Sequence, residues 1–422
     1  MSGQRDTNYA VVTRAERNQM AIADEQAVNE MPEADAEGQQ AAHAVTPERA
    51  QGLRRFAWRV FMVLAPVHVY VGYSLAPDLP PEWRVPGVFV LAVSAVIVPL
   101  VTLSKIYLTN QAAIDRLIWI AYLTLGWFSS LLILALIRDL VLFIPVARSW
   151  TPESALAVLS LSLFVTLVGL VNARRVAKVV HVDISLADLP PELVGVTIAQ
   201  ITDIHVGSTI KNGYVQAIVE RVNGLNPDII AITGDVVDGS VAQLAMETAP
   251  LAELRARHGA YVVTGNHEYY AGAEEWIDEF RRLGLRTLMN EHVVIDHDGA
   301  DLVVAGVNDY SAIRLDPDRG SDPQAAIAGS PPTAPKVLLA HQPRSAPAAA
   351  AAGFHLQLSG HTHGGQFWPW NHFVRMQQPY TAGLHRLEDL WVYTSRGTGY
   401  WGPPKRFGAP SEITLIRLTS TG

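Results

Sequence analysis

The chain has 422 residues, too many for one ordinary domain, and its formal net charge of -8 argues against a general nucleic-acid surface. Hydrophobic residues make up 49% and charged residues only 17%, an apolar balance for a soluble enzyme. Cysteine is absent, which removes disulfides and thiol chemistry without choosing a compartment.

Residues 1–50 form a polar leader rich in Ala, Glu, Gln and Asp, with no sustained helical or strand period, and are expected to be disordered. A cleaved signal peptide is not expected, because the first apolar run begins only after this leader. A transmembrane domain is expected over 51–175, with helices at about 56–75, 86–103, 117–137 and 155–171. Crossing the roughly 30 Å hydrocarbon core takes about 20 mostly apolar residues. Arg49, Arg54, Arg55 and Arg59 stand at the first span, Lys105 and Arg116 between spans two and three, and Arg174, Arg175 and Lys178 after the fourth. The opposite loops offer only Arg84, Arg138 and Arg148, so the positive-inside bias puts both termini, and the domain that follows, in the cytoplasm. No ionisable cluster that would mark a transport path is expected inside the spans.

A basic, mixed segment at 172–182 marks the boundary, and a second domain is expected over 183–420. Strand candidates lie at 196–202, 229–233, 261–264, 302–306, 337–340 and 356–359. Between the first two, Val215, Ile218, Val219 and Val222 recur at the spacing of an amphipathic helix. Strand-helix-strand order over this spacing implies an α/β domain, a parallel or mixed sheet covered by helices.

The polar residues follow a rule. Asp203 and His205 come after the first strand, Asp235 and Asp238 after the second, Asn266 and His267 after the third, His341 after the strand at 337, and His361 and His363 after the last. In open α/β sheets ligands bind outside the carboxyl ends of the strands. His361 and His363 are one residue apart, so in an extended segment both rings face the same side. Carboxylate, carboxamide and imidazole donors without thiolates suit Mn, Fe, Zn or Ni, and there are enough of them for two ions. Asp235, centred in the row, is the candidate to bridge a pair roughly 3.5–4 Å apart, the separation used for in-line displacement at phosphorus.

Asp203-Ile204-His205, Gly234-Asp235-Val236-Val237-Asp238, Gly265-Asn266-His267-Glu268, His341 and Gly360-His361-Thr362-His363 resemble, in order, the five motifs of calcineurin-like metallophosphoesterases. The resemblance covers roughly 182–418, and the tail around Arg396 and Arg406 is similar to the bacterial membrane-associated phosphodiesterase branch. It implies a metallophosphoesterase α/β/β/α sandwich, here preceded by the four-helix transmembrane domain. It implies one divalent ion held by Asp203, His205, Asp235 and His363 and a second held by Asp235, Asn266, His341 and His361. His267 would contact phosphate and protonate the leaving oxygen.

The expectation is therefore a membrane-anchored, two-metal hydrolase of a phosphodiester or pyrophosphate bond, with the bilayer and a phosphoester, lipid-linked or membrane-proximal, as its partners. The alternatives are a phosphatase or nucleotide phosphodiesterase on a soluble substrate, and a non-catalytic scaffold or sensor with a structural metal. Asp238 and Glu268 are read as supporting residues, orienting a ligand and capping a helix. For Arg396 and Arg406, structural salt bridges weigh at least as much as phosphate binding. Phe367, Trp368 and Trp370 offer an apolar lip, an interfacial anchor or a packing cluster.

Overall fold

The computed structural model describes residues 47–420. Most of the expected disordered leader lies outside that range, and its last residues begin the first helix. Helices α1 (Pro47–Leu75), α2 (Pro81–Tyr107), α3 (Gln111–Leu142) and α4 (Thr151–Arg174) are each long and apolar enough to cross a bilayer. Proline opens α1 and α2, where its missing N–H costs nothing, and Asn110 caps α3 by accepting the Ala113 N–H at 3.0 Å. Lipid removes the hydrophobic drive between helices, so small residues and polar pairs carry their association. Ala135 and Ala155 are fully buried between helices with Val71, Phe128 and Leu131, and the Trp127 indole donates to Ser162 Oγ at 3.1 Å.

The helices run past the expected windows, and one consequence corrects the sequence reading. Arg138 is not a loop residue: it lies inside α3, 5% exposed. It pairs with Asp78 and Asp139 and donates to Ser154 Oγ (2.8 Å) and to the carbonyls of Ser74 (3.0 Å) and Thr151 (3.1 Å). Tyr70 reaches Asp139 at 2.7 Å. An ionisable cluster does occupy one end of the bundle, and it ties α1, α3 and α4 together. A hydropathy window stops at the first charge, whereas a helix continues when that charge finds partners.

The remaining chain builds two six-stranded sheets. The first is ordered β1 (Lys178–Leu186), β12 (Glu412–Ser420), β2 (Thr197–Ile201), β3 (Ile229–Thr233), β4 (Ala260–Val263), β5 (Arg286–Thr287). The second is ordered β10 (Gly383–Leu387), β11 (Leu390–Thr394), β9 (Leu356–Ser359), β8 (Lys336–Leu339), β7 (Ala300–Gly306), β6 (Glu291–His297). Strand β1 begins inside the segment expected to be a basic boundary and runs parallel to β12 from Lys178↔Glu412 to Leu186↔Ser420.

Alternation along the strands sorts the layers. Ile198, Ile229 and Ala231 face Val304, Leu339 and Leu358 across the sandwich. Their neighbours Ala199, Ile230 and Ile232 face outward onto α5 (Asn212–Asn223) and α8 (Ala273–Arg282), meeting Ile218, Val222 and Phe280. On the other side Ala305, Leu338 and Val392 pack on the Ala-rich α10 (Ala346–Ala352). Each fully buried side chain of this size contributes about 1.5–3 kcal/mol. The result is a mixed α/β/β/α sandwich preceded by four candidate membrane helices.

Candidate metal centre and active site

Strands β2, β3 and β4 are neighbours in one sheet and β8 and β9 in the other, so their carboxyl ends open at the same edge of the sandwich. The residues that follow turn sharply. Asp203 (φ 52), His205 (φ 55), Asp235 (φ 50), His361 (φ 68) and His363 (φ 51) all occupy the left-handed region, which costs about 1–3 kcal/mol each and collects at functional sites. The turns hold one another. Both oxygens of Asp203 accept the His361 N–H (2.9 and 3.0 Å), and the His205 N–H reaches the Asp235 carbonyl at 3.1 Å. A side chain at Gly360 would strike Asp203 Oδ2 and Thr202 Oγ1, so only glycine lets these two loops cross.

Three donor groups result among the described residues, one of them His205, Asp238 and His267, and the other two sit deeper. In the first of these two, Asp203, His205 and His363 present atoms within 4.8 Å of one another. His205 Nε2 and His363 Nε2 are 3.0 Å apart, and Asp203 Oδ1 is 3.4 Å from His363 Nε2. The second group is Asp235, His341 and His361, with Asp235 Oδ2 3.1 Å from His341 Nε2 and that nitrogen 3.2 Å from His361 Nδ1. Asp235 Oδ2 also lies 3.8 Å from His205 Nε2, so its carboxylate stands between the groups. Asn266 opens the short helix α7 (Asn266–Ala271), and its Oδ1 is buried with no hydrogen-bond partner.

These features fit cations. Buried polar atoms are normally paired, and the Asn266 oxygen is an acceptor with no hydrogen-bond donor among the described residues, its lone pairs open to a cation. Burial pulls His361 down to about 3, and burial with the Arg406 charge holds His363 well below the usual imidazole range, so both keep lone pairs for a metal. Burial opposes ionisation of Asp235, yet the facing imidazoles hold its carboxyl well below the usual carboxylate range. Burial works against a charged His341 too, but Asp235 and Asp203 raise it well above the ordinary value. Carboxylates that favour a proton there would equally favour a metal ion. The His341 Nδ1 is spoken for by the Thr233 carbonyl at 2.8 Å, which turns Nε2 to the site.

His267 sits at the open side, with Nε2 3.9 Å from Asp235 Oδ2. Asp238 joins it to the first group, 2.8 Å from His267 Nδ1 and 2.7 Å from His205 Nδ1. Burial lowers His267, but the Asp238 hydrogen bond and the surrounding carboxylates push it up to about 9. The Trp401 ring stands 5.8 Å from the His267 ring, and Tyr270 5.5 Å away on another side.

Two supports exceed the sequence reading. Glu268 does cap α7 through the Gly265 N–H (2.6 Å), but it also accepts from Asp235 (3.0 Å), Val236 (2.7 Å) and Val237 (3.2 Å), fixing the whole turn that carries Asp235. Arg406 makes no salt bridge among the described residues. It is 1% exposed and donates to the carbonyls of His363 (2.9 Å), Arg396 (2.8 Å) and Gly399 (3.1 Å), beneath His363. Arg396 does pair with a carboxylate, Glu412, at 2.8 Å. No local spacing signals the Arg406 contacts, because backbone carbonyls carry no sequence signature.

The aromatic segment after His363 divides. Phe367 is buried, while Trp368 and Trp370 are partly exposed and the Trp370 indole donates to Ser129 Oγ of α3 at 2.9 Å.

Known proteins resemble this chain. The calcineurin-like phosphoesterase family profile matches residues 196–365. A transmembrane protein with metallophosphoesterase domain from Danio rerio is 38% identical over 289 residues, 64% of this chain and 66% of that protein, so the chain spans just under two thirds of that relative. An uncharacterized metallophosphoesterase of Campylobacter jejuni is 33% identical over 304 residues, 70% of this chain and 77% of that one. Among solved structures, NAD nucleotidase from Haemophilus influenzae is similar with a TM-score of 0.37 and 16% identity, over 49% of this chain and 46% of that one. The chain belongs to the calcineurin-like metallophosphoesterases, and one of its relatives is named a transmembrane protein with this domain.

Proposed function

We propose that the protein is a membrane-anchored phosphoesterase with two divalent ions, hydrolysing a phosphodiester or pyrophosphate bond in a lipid-linked or membrane-proximal substrate. Asp203, His205, Asp235 and His363 would hold one ion, and Asp235, Asn266, His341 and His361 the other. The observation that carries this reading is the pair of donor groups set about one shared carboxylate, Asp235, with the unpaired Asn266 oxygen beside them.

Such ions, drawn from Mn, Fe, Zn or Ni, would supply an activated water and neutralise charge on phosphate oxygens. The chain's own residues do the rest. His267, protonated and turned by Asp238, donates to the leaving oxygen, a role worth about 10²–10⁴-fold. Asp238 holds His205 and His267 in one orientation through a single oxygen.

A membrane-proximal substrate is supported by the surroundings. Trp370 touches α3, Phe373 and Met376 are exposed beside it in the sequence, and Trp401 overlooks His267. The excess of Arg and Lys at Arg54, Arg55, Arg116, Arg174 and Arg175 supports a cytoplasmic catalytic domain. A reporter fused to the C-terminus and active only outside the cytoplasm would overturn that side.

Purified full-length protein is expected to hydrolyse bis-p-nitrophenyl phosphate with Mn²⁺, and Asp235→Asn to abolish this while keeping its melting transition. Equal activity in the variant sinks the shared-carboxylate reading. Monoester hydrolysis far above diester hydrolysis would point instead to a phosphatase on soluble substrates.

A further inference from the structure

A cleft of about 230 Å³ opens beside the metal donors, with Asn266 and His361 in its wall. Arg314 and Arg344 line it too, together with Gln342 and Gln378, and no carboxylate among the described residues does. Arg344 is held by the Gln377 carbonyl through Nε (2.8 Å) and Nη2, which fixes the guanidinium plane and leaves Nη1 without a partner among the described residues. The Arg314 side chain is exposed and has no partner among the described residues either. Two arginines this close to a phosphate-handling centre, and unneutralised, form an anion site by charge and by geometry.

The glutamines add a second, independent mark. Asp309, already accepting the Ser311 N–H at 2.8 Å, also accepts Gln342 Nε2 at 3.1 Å to both oxygens. That contact turns Gln342 Oε1 towards Gln378 Nε2, 3.2 Å away. The carboxylate thus dictates both amide orientations. Gln378 Oε1 is left over, buried and without a partner among the described residues, in a side chain that lines the cleft. A buried acceptor without a donor is costly, and a ligand hydroxyl or N–H would supply the donor.

We infer that this cleft is a second phosphate subsite. One phosphate of the substrate lies at the metal donors while Arg314 and Arg344 bind a second phosphate of the same molecule, with Gln378 accepting a hydroxyl or N–H next to it. The inference rests on the phosphoesterase reading above and deepens it: the substrate class is a diphosphate ester. Hydrolysis forms a P–O bond from water to the phosphorus at the metal donors and breaks the bridging P–O bond. The bridging oxygen leaves with the phosphate held by the arginines, giving two phosphomonoesters where both phosphates are esterified and one phosphomonoester with inorganic phosphate where one is, and the water's protons pass to the products and the medium.

The test compares methylphosphonate with methylenediphosphonate as inhibitors of bis-p-nitrophenyl phosphate hydrolysis, using full-length protein at constant free Mn²⁺. Wild type is expected to favour the diphosphonate. Arg314→Gln should cut that preference several-fold, and the double variant with Arg344→Gln by about tenfold or more, the scale of charge-assisted phosphate contacts. The exposed Arg314 side chain supports no other described residue, so its variant reads the subsite without a folding defect. An inhibition ratio unchanged in both variants overturns the inference. Absence of metal-dependent hydrolysis in wild type would instead overturn the phosphoesterase reading, and this inference with it.

Discussion

Lys405 fills the space that Gly169 leaves on α4: a Cβ at Gly169 would come within 2.6 Å of Lys405 Cγ. Its ammonium lies between α3 and α4, donating to the Gly126 carbonyl (2.7 Å), Ser130 Oγ (2.5 Å) and Thr166 Oγ1 (3.3 Å). The next residue, Arg406, gives its backbone N–H to the Gly169 carbonyl (2.9 Å) and its guanidinium to the His363 carbonyl (2.9 Å). A two-residue link therefore runs from the membrane helices to one of the candidate metal donors.

From this contact follows an effect at a distance. Gly169→Leu is expected to push the Lys405 stem aside and tilt Arg406, weakening retention of the ion assigned to His363 by about 10–100-fold, the usual cost of losing an outer support. Chelator competition on the purified protein reads this directly. Unchanged metal affinity in the variant would mean that the helices only anchor the domain.

The strand-end donors were legible because each follows a short apolar strand, and an apolar run ending in Asp, Asn or His is a local pattern. The sandwich was legible only through resemblance. The near-continuous apolar run of β3 says that both faces are covered, without saying that one is covered by a second sheet. The β1–β12 ladder escaped notice because Ile184 and Leu418 pair across most of the catalytic domain, and nothing near Ile184 signals its partner. The helical place of Arg138 is hidden for a related reason: its partner Asp78 stands 60 residues earlier, in the turn that follows α1. Glu268 could be read as a cap from its position, but its three further N–H contacts belong to a turn on another strand.

His361 and His363 are neighbours in sequence and belong to different donor groups. His361→Ala is expected to lower occupancy at the Asn266–His341 ion, and His363→Ala at the Asp203–His205 ion, each by at least about 100-fold in affinity. Metal content with anomalous diffraction on each variant distinguishes them. Loss of the same ion in both would show that the pair acts as one ligand unit.

Glu268 is fully buried and takes four backbone N–H groups on its two oxygens. Glu268→Gln keeps the shape but turns an amide NH₂ toward two of those donors. Leaving buried donors unserved costs about 1–3 kcal/mol each, so the variant is expected to melt several degrees lower and to bind metal poorly, although Glu268 touches no metal donor side chain. A calorimetric scan and a metal titration check both halves. A variant with wild-type melting and wild-type metal binding would remove Glu268 from the support of Asp235.

His355 offers a pH effect away from the metal donors. Its Nδ1 accepts the Lys336 N–H at 3.0 Å, which requires an unprotonated nitrogen. Burial, with the Lys336 charge, lowers its pKa from the ordinary 6.5. The sign follows from proton counting: below 6.5 the unfolded chain takes up a proton that the folded chain resists, so stability falls as pH drops from about 7 through 6.5 towards the folded value. His355→Asn can still accept the Lys336 N–H through its side-chain oxygen but does not titrate in this range. The melting temperature of the detergent-solubilised wild type is therefore expected to fall more steeply than that of the variant between about pH 8 and pH 5. The variant should be no more stable than wild type at the alkaline end and should gain on it at the acid end. Parallel curves would mean that protonation of His355 is tolerated in the folded chain, and that the Lys336 N–H finds another acceptor when the ring is charged.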